Sequence, residues 1–235
     1  MSKEPVKSVL LFSGGLDSTT VLALAVARGD DVFPLTVVYG QRHAIETTKA
    51  IRILEQYGLA SRARTIFLDL SFLHSSSLIN RDLVVPHGAK TTVPIPNTYV
   101  PARNLLFLSL AAAYAEDIGA SRILIGVNAR DYSGYPDCRP DFIEQFNRTL
   151  VTGTKTGNTG GIIIVEAPFI SFTKGQIIRL GHELGVDYRM THSCYDPDEE
   201  GRACGQCDSC RLRLKGFSEA GLDDPAPYVS RDPEG

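Results

Sequence analysis

The sequence predicts an α/β fold: a doubly wound, mostly parallel five-stranded sheet with a small metal-binding helical appendage near the C-terminus. Three observations predict it. Five short apolar runs alternate with stretches of helical period, the pattern of parallel strands joined by right-handed crossovers. The turn Ser13-Gly14-Gly15-Leu16-Asp17-Ser18 links the first run to the first helix. Towards the end of the chain stands Cys194-x9-Cys204-x2-Cys207-x2-Cys210.

Residues 6–12 form the first strand and residues 19–28 the first helix, closed by Gly29. Strand, glycine turn and helix make an anion site, because the backbone can approach a ligand and the helix start offers free N–H groups and a positive dipole end. Ser13, Ser18 and Thr19 add hydroxyls. Asp17 is the odd member, since a carboxylate repels phosphate; it makes sense as a holder of Mg²⁺ that bridges to the phosphates. Neither GxxxxGK[ST] nor GxGxxG occurs, which excludes the Walker loop and the dinucleotide fingerprint. The six residues resemble instead the PP-loop of ATP pyrophosphatases, SGGxDS, which split ATP between its α and β phosphates.

The second strand, residues 32–39, contains Pro34, a minor conflict with a central position. It ends beyond the sheet's carboxyl edge, where ligands of such folds sit. There Val37 and Val38 can flank adenine, and Gln41, Arg42 and His43 can reach phosphate or substrate. Residues 44–57 read as a helix ended by Gly58, and residues 64–70 as the third strand. Residues 71–102 show no period and hold Pro86, Pro94, Pro96 and Pro101, which suits ordered extended pieces. Arg103 and Asn104 open an apolar, buried helix that reaches Gly119. They suit an anion or substrate contact, or Asn104 simply caps the helix.

The fourth strand, residues 122–126, runs into a loop dense in hydrogen-bonding groups: Asn128, Asp131, Tyr132, Ser133, Asp137 and Arg139. Tyr132 and Tyr135 offer faces for a flat ring, so the loop suits a heterocycle; an exposed Gly-Pro turn is the plainer alternative. Pro140 opens a helix to about residue 150. Residues 152–161 read as a surface loop and residues 161–167 as the fifth strand. Thr173 with Gln176 is a capping box opening a helix to residue 184. Lys174 lies in its first turn, against the dipole, which is tolerable if it serves an anion such as ATP; a solvated surface lysine is the common case.

The four clustered cysteines suit a closed, structural Zn²⁺ site, with an iron–sulfur cluster as the competing reading. Cys138 is left over and reads as a small buried side chain. Arg202, Arg211, Arg213 and Lys215 read as a solvated helix face, and the Pro- and charge-rich end from residue 223 as loosely held. We divide the chain into residues 1–188, residues 189–221 with the cysteines, and the tail 222–235.

The 235 residues are 43% hydrophobic and 22% charged, ample for a globular core. A net charge of −3 argues against broad nucleic-acid or anionic-membrane binding. No apolar run approaches the ~20 residues of a membrane span. The N-terminus lacks a signal-peptide core, so a cytoplasmic protein with reduced cysteines is expected.

Beyond single motifs, residues 12–20, Tyr39-Gly-Gln-Arg-His43, Pro101-Ala-Arg-Asn104, Gly126-Val-Asn128, residues 131–140, Ser193-Cys-Tyr195 and the cysteine triplet resemble, in order, the 7-cyano-7-deazaguanine synthase family of the queuosine pathway. His192 departs from it, standing where an aromatic residue, usually Trp, is expected. The resemblance implies a Rossmann-like PP-loop fold and an ATP-dependent ligase joining 7-carboxy-7-deazaguanine and ammonia into the 7-nitrile. It further implies one structural Zn²⁺ on Cys194, Cys204, Cys207 and Cys210, Mg²⁺, and a homodimer, without nucleic acid or membrane. On it we expect Phe12, Ser13, Gly14, Gly15, Leu16, Asp17, Ser18, Thr19, Thr20, Val38 and Arg42 at the nucleotide. Asp17, Ser18, Arg103 and Lys174 are expected in catalysis, and Asp131, Tyr132, Tyr135, Asp137 and Arg139 at the deazapurine. A different PP-loop enzyme, such as a tRNA thiolase, and a non-catalytic ATP-binding zinc module are the competing readings.

Overall fold

The computed structural model describes residues 4–40, 45–88, 95–130 and 135–229, the side chains of residues 45–47 excepted. Its sheet has five parallel strands in the order β3-β2-β1-β4-β5, formed by β1 (Lys7–Leu11), β2 (Asp31–Val38), β3 (Arg64–Phe67), β4 (Arg122–Leu124) and β5 (Ile164–Glu166). β1 is central, paired with β2 from Lys7↔Asp31 and with β4 from Ser8↔Arg122. The order reverses there, so the crevice beyond the carboxyl end of β1 is the switch point of the sheet.

Seven α-helices are described: α1 (Leu16–Ala27), α2 (Ile45–Gln56), α3 (Arg103–Ile118), α4 (Pro140–Gly153), α5 (Lys155–Asn158), α6 (Lys174–Glu183) and α7 (Asp208–Ala220). Alternation along β1 feeds two cores. Val9 and Leu11 pack towards α3 and α4 with Leu108, Ile123, Phe146 and Val165. Leu10 and Phe12 pack towards α1, α2, α6 and α7 with Leu22, Ile53, Ile177 and Phe217. Strands buried on both faces need such continuous apolar runs. The cysteine-bearing helix α7 thus shares a core with α1, α2 and α6, and Tyr188 meets Phe217 edge to face at 5.5 Å.

Pro34 lies inside β2 without breaking it. β3 pairs only with Leu35 to Val38, so Pro34 faces a neighbour on the β1 side alone and forfeits no ladder bond to β3. On β5, Asn147 of α4 imitates a strand: its amide donates to the Val165 carbonyl at 3.0 Å and its oxygen accepts from the Val165 N–H at 2.7 Å, which blunts that edge.

Three expectations are corrected. Residues 152–161 are not an open loop: α4 runs to Gly153 and α5 follows, with the Thr154 hydroxyl accepting from Gly157 N and Glu116 accepting from Thr156 N at 2.7 Å. Arg213 is not on a solvated face: its side chain is 3% exposed and donates to Asp224 at 2.9 Å. For the same reason the tail is tied down through residue 229, with Tyr228 donating to Asp224 at 2.6 Å and the 203 and 229 backbones paired. A buried guanidinium demands a carboxylate, and the tail supplies it. No helix among the described residues is long and apolar enough to cross a membrane.

Candidate active site

The turn after β1 is braced by its own hydroxyls. Ser13 Oγ and Ser18 Oγ lie 3.1 Å apart, Gly15 N donates to Ser13 Oγ at 3.2 Å, and Ser13 N donates to Ser18 Oγ at 3.3 Å. Gly14 adopts φ +75°, and a Cβ there would stand 2.9 Å from Ala50 Cα, so two constraints select glycine. Gly15 is the N-cap of α1 and no side chain caps the helix, which leaves its first N–H groups open to an anion.

Beyond this turn opens a cavity of about 260 Å³. Phe12, Ser13, Gly15, Leu16, Asp17 and Ser18 line it on one side. Arg103, Asn104, Tyr135 and Cys138 line another, with Val37 and Tyr39 from the end of β2. Arg103 Nη1 donates to Tyr39 Oη at 3.0 Å and its guanidinium lies 5.8 Å over the Tyr39 ring. Ala102, the N-cap of α3, holds φ 55°, the one left-handed non-glycine among the described residues, directly before Arg103. Asn104 is therefore not the cap.

Asp17 is the one acidic side chain among the described residues of the cavity wall. Lys174 Nζ donates to both its oxygens at 2.7 Å, and Lys174 is 7% exposed. The solvated-lysine alternative is thus corrected: the Thr173–Gln176 capping box, present as predicted, brings the start of α6 to the start of α1. The repulsion between Asp17 and a phosphate is answered within the chain by the Lys174 ammonium. A carboxylate has about four lone-pair sites, and Mg²⁺ commonly takes one or two protein carboxylates plus phosphate oxygens, so Asp17 fits that ion as a single ligand.

Other expected nucleotide residues fall elsewhere. Thr20 is turned into the core, its hydroxyl donating to Leu16 O and paired with Tyr188 Oη, both at 2.9 Å. Thr19 is buried outside the cavity wall, and its hydroxyl has no partner among the described residues. Gly14 backs the turn. Strand alternation puts Val37 rather than Val38 in the wall. Arg42 lies outside the described residues, as do Asp131 and Tyr132.

In the turn after β4, Tyr135 pairs its hydroxyl with Thr98 at 2.7 Å and sets its ring 5.4 Å from Tyr99. Asp137 is buried but not in the cavity wall: one oxygen accepts from Asn104 N at 2.9 Å, and the other has no partner among the described residues. The Asn104 amide donates to Asp137 O at 3.1 Å and Cys138 Sγ at 3.2 Å. Arg139 is exposed at the head of α4. Burial, reinforced by the Asp137 charge, pushes the Cys138 thiol up to about 12, which suits packing and not nucleophilic attack.

The wall also contains His192, Ser193, Cys194 and Tyr195, which motif spacing did not assign to the cavity. The signals at these positions are the Ser193-Cys-Tyr195 stretch of the resemblance and adjacency to the clustered cysteines. His192 N donates to Gly14 O at 3.2 Å, so the cysteine loop rests on the first turn; the His192 ring is buried and bonded to Cys194 O at 3.1 Å. The sulfurs of Cys194, Cys204, Cys207 and Cys210 lie within 4.8 Å of one another. Tetrahedral Zn–S bonds of about 2.3 Å put sulfurs about 3.8 Å apart, and Cys204 and Cys210 Sγ stand at 3.9 Å. Backbone N–H groups of Asp196, Cys204 and Cys207 donate to these sulfurs at 3.3 Å, which favours thiolates. The cluster can hold a metal ion, and its donor set fits zinc.

Fold and site together define a doubly wound α/β protein with a PP-loop-like turn at the switch point and a four-cysteine centre against it. One solved structure of similar fold is an NMN synthetase from Francisella tularensis, with a TM-score of 0.51 and 18% identity over 97% of this chain and 80% of that chain. Within that class the chain belongs to the family described as queuosine biosynthesis protein QueC, which matches residues 7–221. Relatives named 7-cyano-7-deazaguanine synthase include those of Syntrophotalea carbinolica, 54% identical over 95% of this chain and 96% of the relative, and Magnetococcus marinus, 52% identical over 95% and 97%.

Proposed function

We propose that this chain makes 7-cyano-7-deazaguanine from 7-carboxy-7-deazaguanine, ammonia and two ATP. A carboxylate oxygen is a poor leaving group. Attack of that oxygen on the α-phosphorus of ATP, with pyrophosphate leaving, converts it to a good one. Ammonia adds to the acyl carbon and AMP departs, leaving the amide after loss of a proton. The amide oxygen then attacks a second ATP, again releasing pyrophosphate. Loss of AMP and of the remaining nitrogen protons leaves the nitrile. The balance is one acid, one ammonia and two ATP giving one nitrile, two AMP and two pyrophosphates.

No protein nucleophile is needed; the chain positions groups and stabilises charge. Gly15, Ser13, Ser18 and the first N–H groups of α1 are assigned to the phosphates, with Val37 beside the adenine. Asp17 is assigned to Mg²⁺, which when bound neutralises phosphate charge, while Lys174 orients the carboxylate. Arg103 faces the cavity with a donor-rich guanidinium and is assigned to the acid's carboxylate or its adenylate. Tyr135 is assigned to the deazapurine ring, and the resemblance adds Asp131 and Tyr132; Asp137 and Arg139 stand outside the cavity wall and are not assigned to it. Zinc on the four cysteines has no open position and serves structure.

The observation that carries this reading is one cavity shared by the Ser13–Ser18 turn, Arg103 and two tyrosines, Tyr39 and Tyr135. Incubation with the carboxy acid, ammonium and Mg-ATP, followed by mass spectrometry, tests it. A nitrile with two AMP per product is expected. No nitrile, with AMP released from a different acid, overturns the assignment of substrate.

A further inference from the structure

Helices α6 and α7 pack side by side on the sheet face that carries α1, and they approach closely where α6 begins. Gly216 of α7 lies on the aliphatic stem of Lys174. A Cβ at residue 216 would stand 2.3 Å from Lys174 Cγ, 2.8 Å from its Cβ and 2.9 Å from Ile178 Cδ1. Swinging the tip of the lysine relieves none of this, because the atoms met are the first carbons of the stem. The missing side chain therefore admits the stem that ends with Nζ on both oxygens of Asp17 at 2.7 Å.

Something must select that conformation. Lys174 is 7% exposed, so solvent does not hold it, and its place in the first turn of α6 opposes the helix dipole. Packing against α7 does hold it. α7 is anchored at its start by Cys207 and Cys210, in its middle by the buried Arg213–Asp224 pair, and beyond that by Phe217 in the core. A continuous path of packed contacts leads from the cysteine cluster along one helix to Gly216, across to Lys174 and on to Asp17.

We propose that Gly216 is a positioning residue for the nucleotide site: by leaving room for the Lys174 stem, it sets the ammonium on Asp17 and so orients the carboxylate that faces the nucleotide. This rests on the ATP-using function proposed above. The test compares wild type, Gly216→Ala, Lys174→Gly and the double variant as full-length, zinc-loaded protein. Affinity for α,β-methylene-ATP with Mg²⁺ is measured by calorimetry, beside zinc content and far-UV spectrum. Gly216→Ala is expected to weaken binding about tenfold with zinc and spectrum retained. In the Lys174→Gly background, which removes both stem atoms met, the same change should alter affinity by less than about twofold, because its effect passes through the lysine. If Gly216→Ala alone fails to fold, the double variant, whose residue 174 lacks both Cβ and Cγ and leaves only the flexible tip of Ile178 in the way, should fold and load zinc again.

Wild-type affinity in Gly216→Ala, or two losses that multiply in the double variant, overturns the proposal. So does a double variant that stays unfolded where Gly216→Ala is unfolded. Absence of analogue binding by the wild type removes the ATP reading and this inference with it, whereas the other outcomes leave that reading standing.

Discussion

The turns after β1 and β4 resemble each other in composition and lie at the same carboxyl edge, yet they treat their polar groups differently. In the first, residues 13–18, Asp17, Ser13 and Ser18 stand in the cavity wall, and the serines brace one another across the turn. In the described part of the second, Ile125, Gly126, Val127, Tyr135 and Cys138 line the cavity, and the Tyr135 hydroxyl and the Cys138 thiol are the hydrogen-bonding side-chain groups among them. Asp137 is spent on the Asn104 N–H, and Arg139 faces outward. The difference teaches that a buried turn must satisfy its own backbone before it can serve a ligand. The first turn is short and ends in a helix whose start is open; the second needs a side chain to anchor the start of α3.

The largest effect should come from the charge in the first turn. Asp17→Asn keeps the shape but leaves the Lys174 ammonium without its carboxylate. Removing one partner of a buried pair costs about 3–5 kcal/mol; Asp17 is 18% exposed at the cavity wall, so the lower end applies. Pyrophosphate release is expected to fall at least about 100-fold, since the carboxylate assigned to Mg²⁺ is lost and with it the cation that would offset phosphate charge. Zinc per chain should be unchanged. Unchanged turnover in this variant would break the comparison, because the first turn would then be no more functional than the second.

In the second turn, Asn104→Ala removes the amide bonds to Asp137 O and Cys138 Sγ. A loss of about 1–3 kcal/mol in urea unfolding is expected, from buried acceptors left unmade. Affinity for an ATP analogue should stay within about twofold, since the bonds lost lie within the second turn and not the first. A collapse of ATP affinity with stability intact would show that the two turns are not separate.

Much of this arrangement was legible in the chain. Period and punctuation placed all five strands and six of the seven described α-helices, because burial on both sheet faces forces apolar runs and glycine ends most of the helices. Cysteine spacing located the four-cysteine cluster that can hold a metal ion, since the two-residue gaps bring the sulfurs together. What escaped was long-range pairing. Nothing near Lys174 announces Asp17, 157 residues away, and nothing near Arg213 announces Asp224 as a buried partner. Thr20 could not be told from Thr19 or Ser18 as a ligand until Tyr188 was seen to claim its hydroxyl. The cavity wall supplied by residues 192–195 escaped for the same reason: tertiary docking on Gly14 put it there.

Cys138 offers a smaller test of how closed the second turn is. Burial raises its thiol from 9.0 to about 12, so iodoacetamide at pH 8 should leave it unlabelled in the folded, zinc-loaded protein and label it on unfolding. Because the fold favours the protonated thiol, its contribution is complete below about pH 9. It is lost as pH climbs from there towards about 12, where the unfolded chain releases the proton first. Unfolding curves of wild type and Cys138→Ala should therefore converge as pH rises through that window. Rapid labelling of the native thiol would mean that the turn opens readily.

The smallest expected effect is at Arg139, and it sharpens the contrast most finely. The resemblance assigns this residue to the substrate, but its side chain is exposed at the head of α4. A solvent-screened charge contributes about 0.2–1 kcal/mol to an attraction. Since 1.4 kcal/mol is about tenfold in affinity, Arg139→Ala should raise KM for the carboxy acid by no more than about fivefold with kcat held. A rise of fiftyfold would exceed what that position can supply. It would require the head of α4 to move inward when the acid binds, making the second turn a ligand-gathering element after all and leaving the first distinguished only by being preformed.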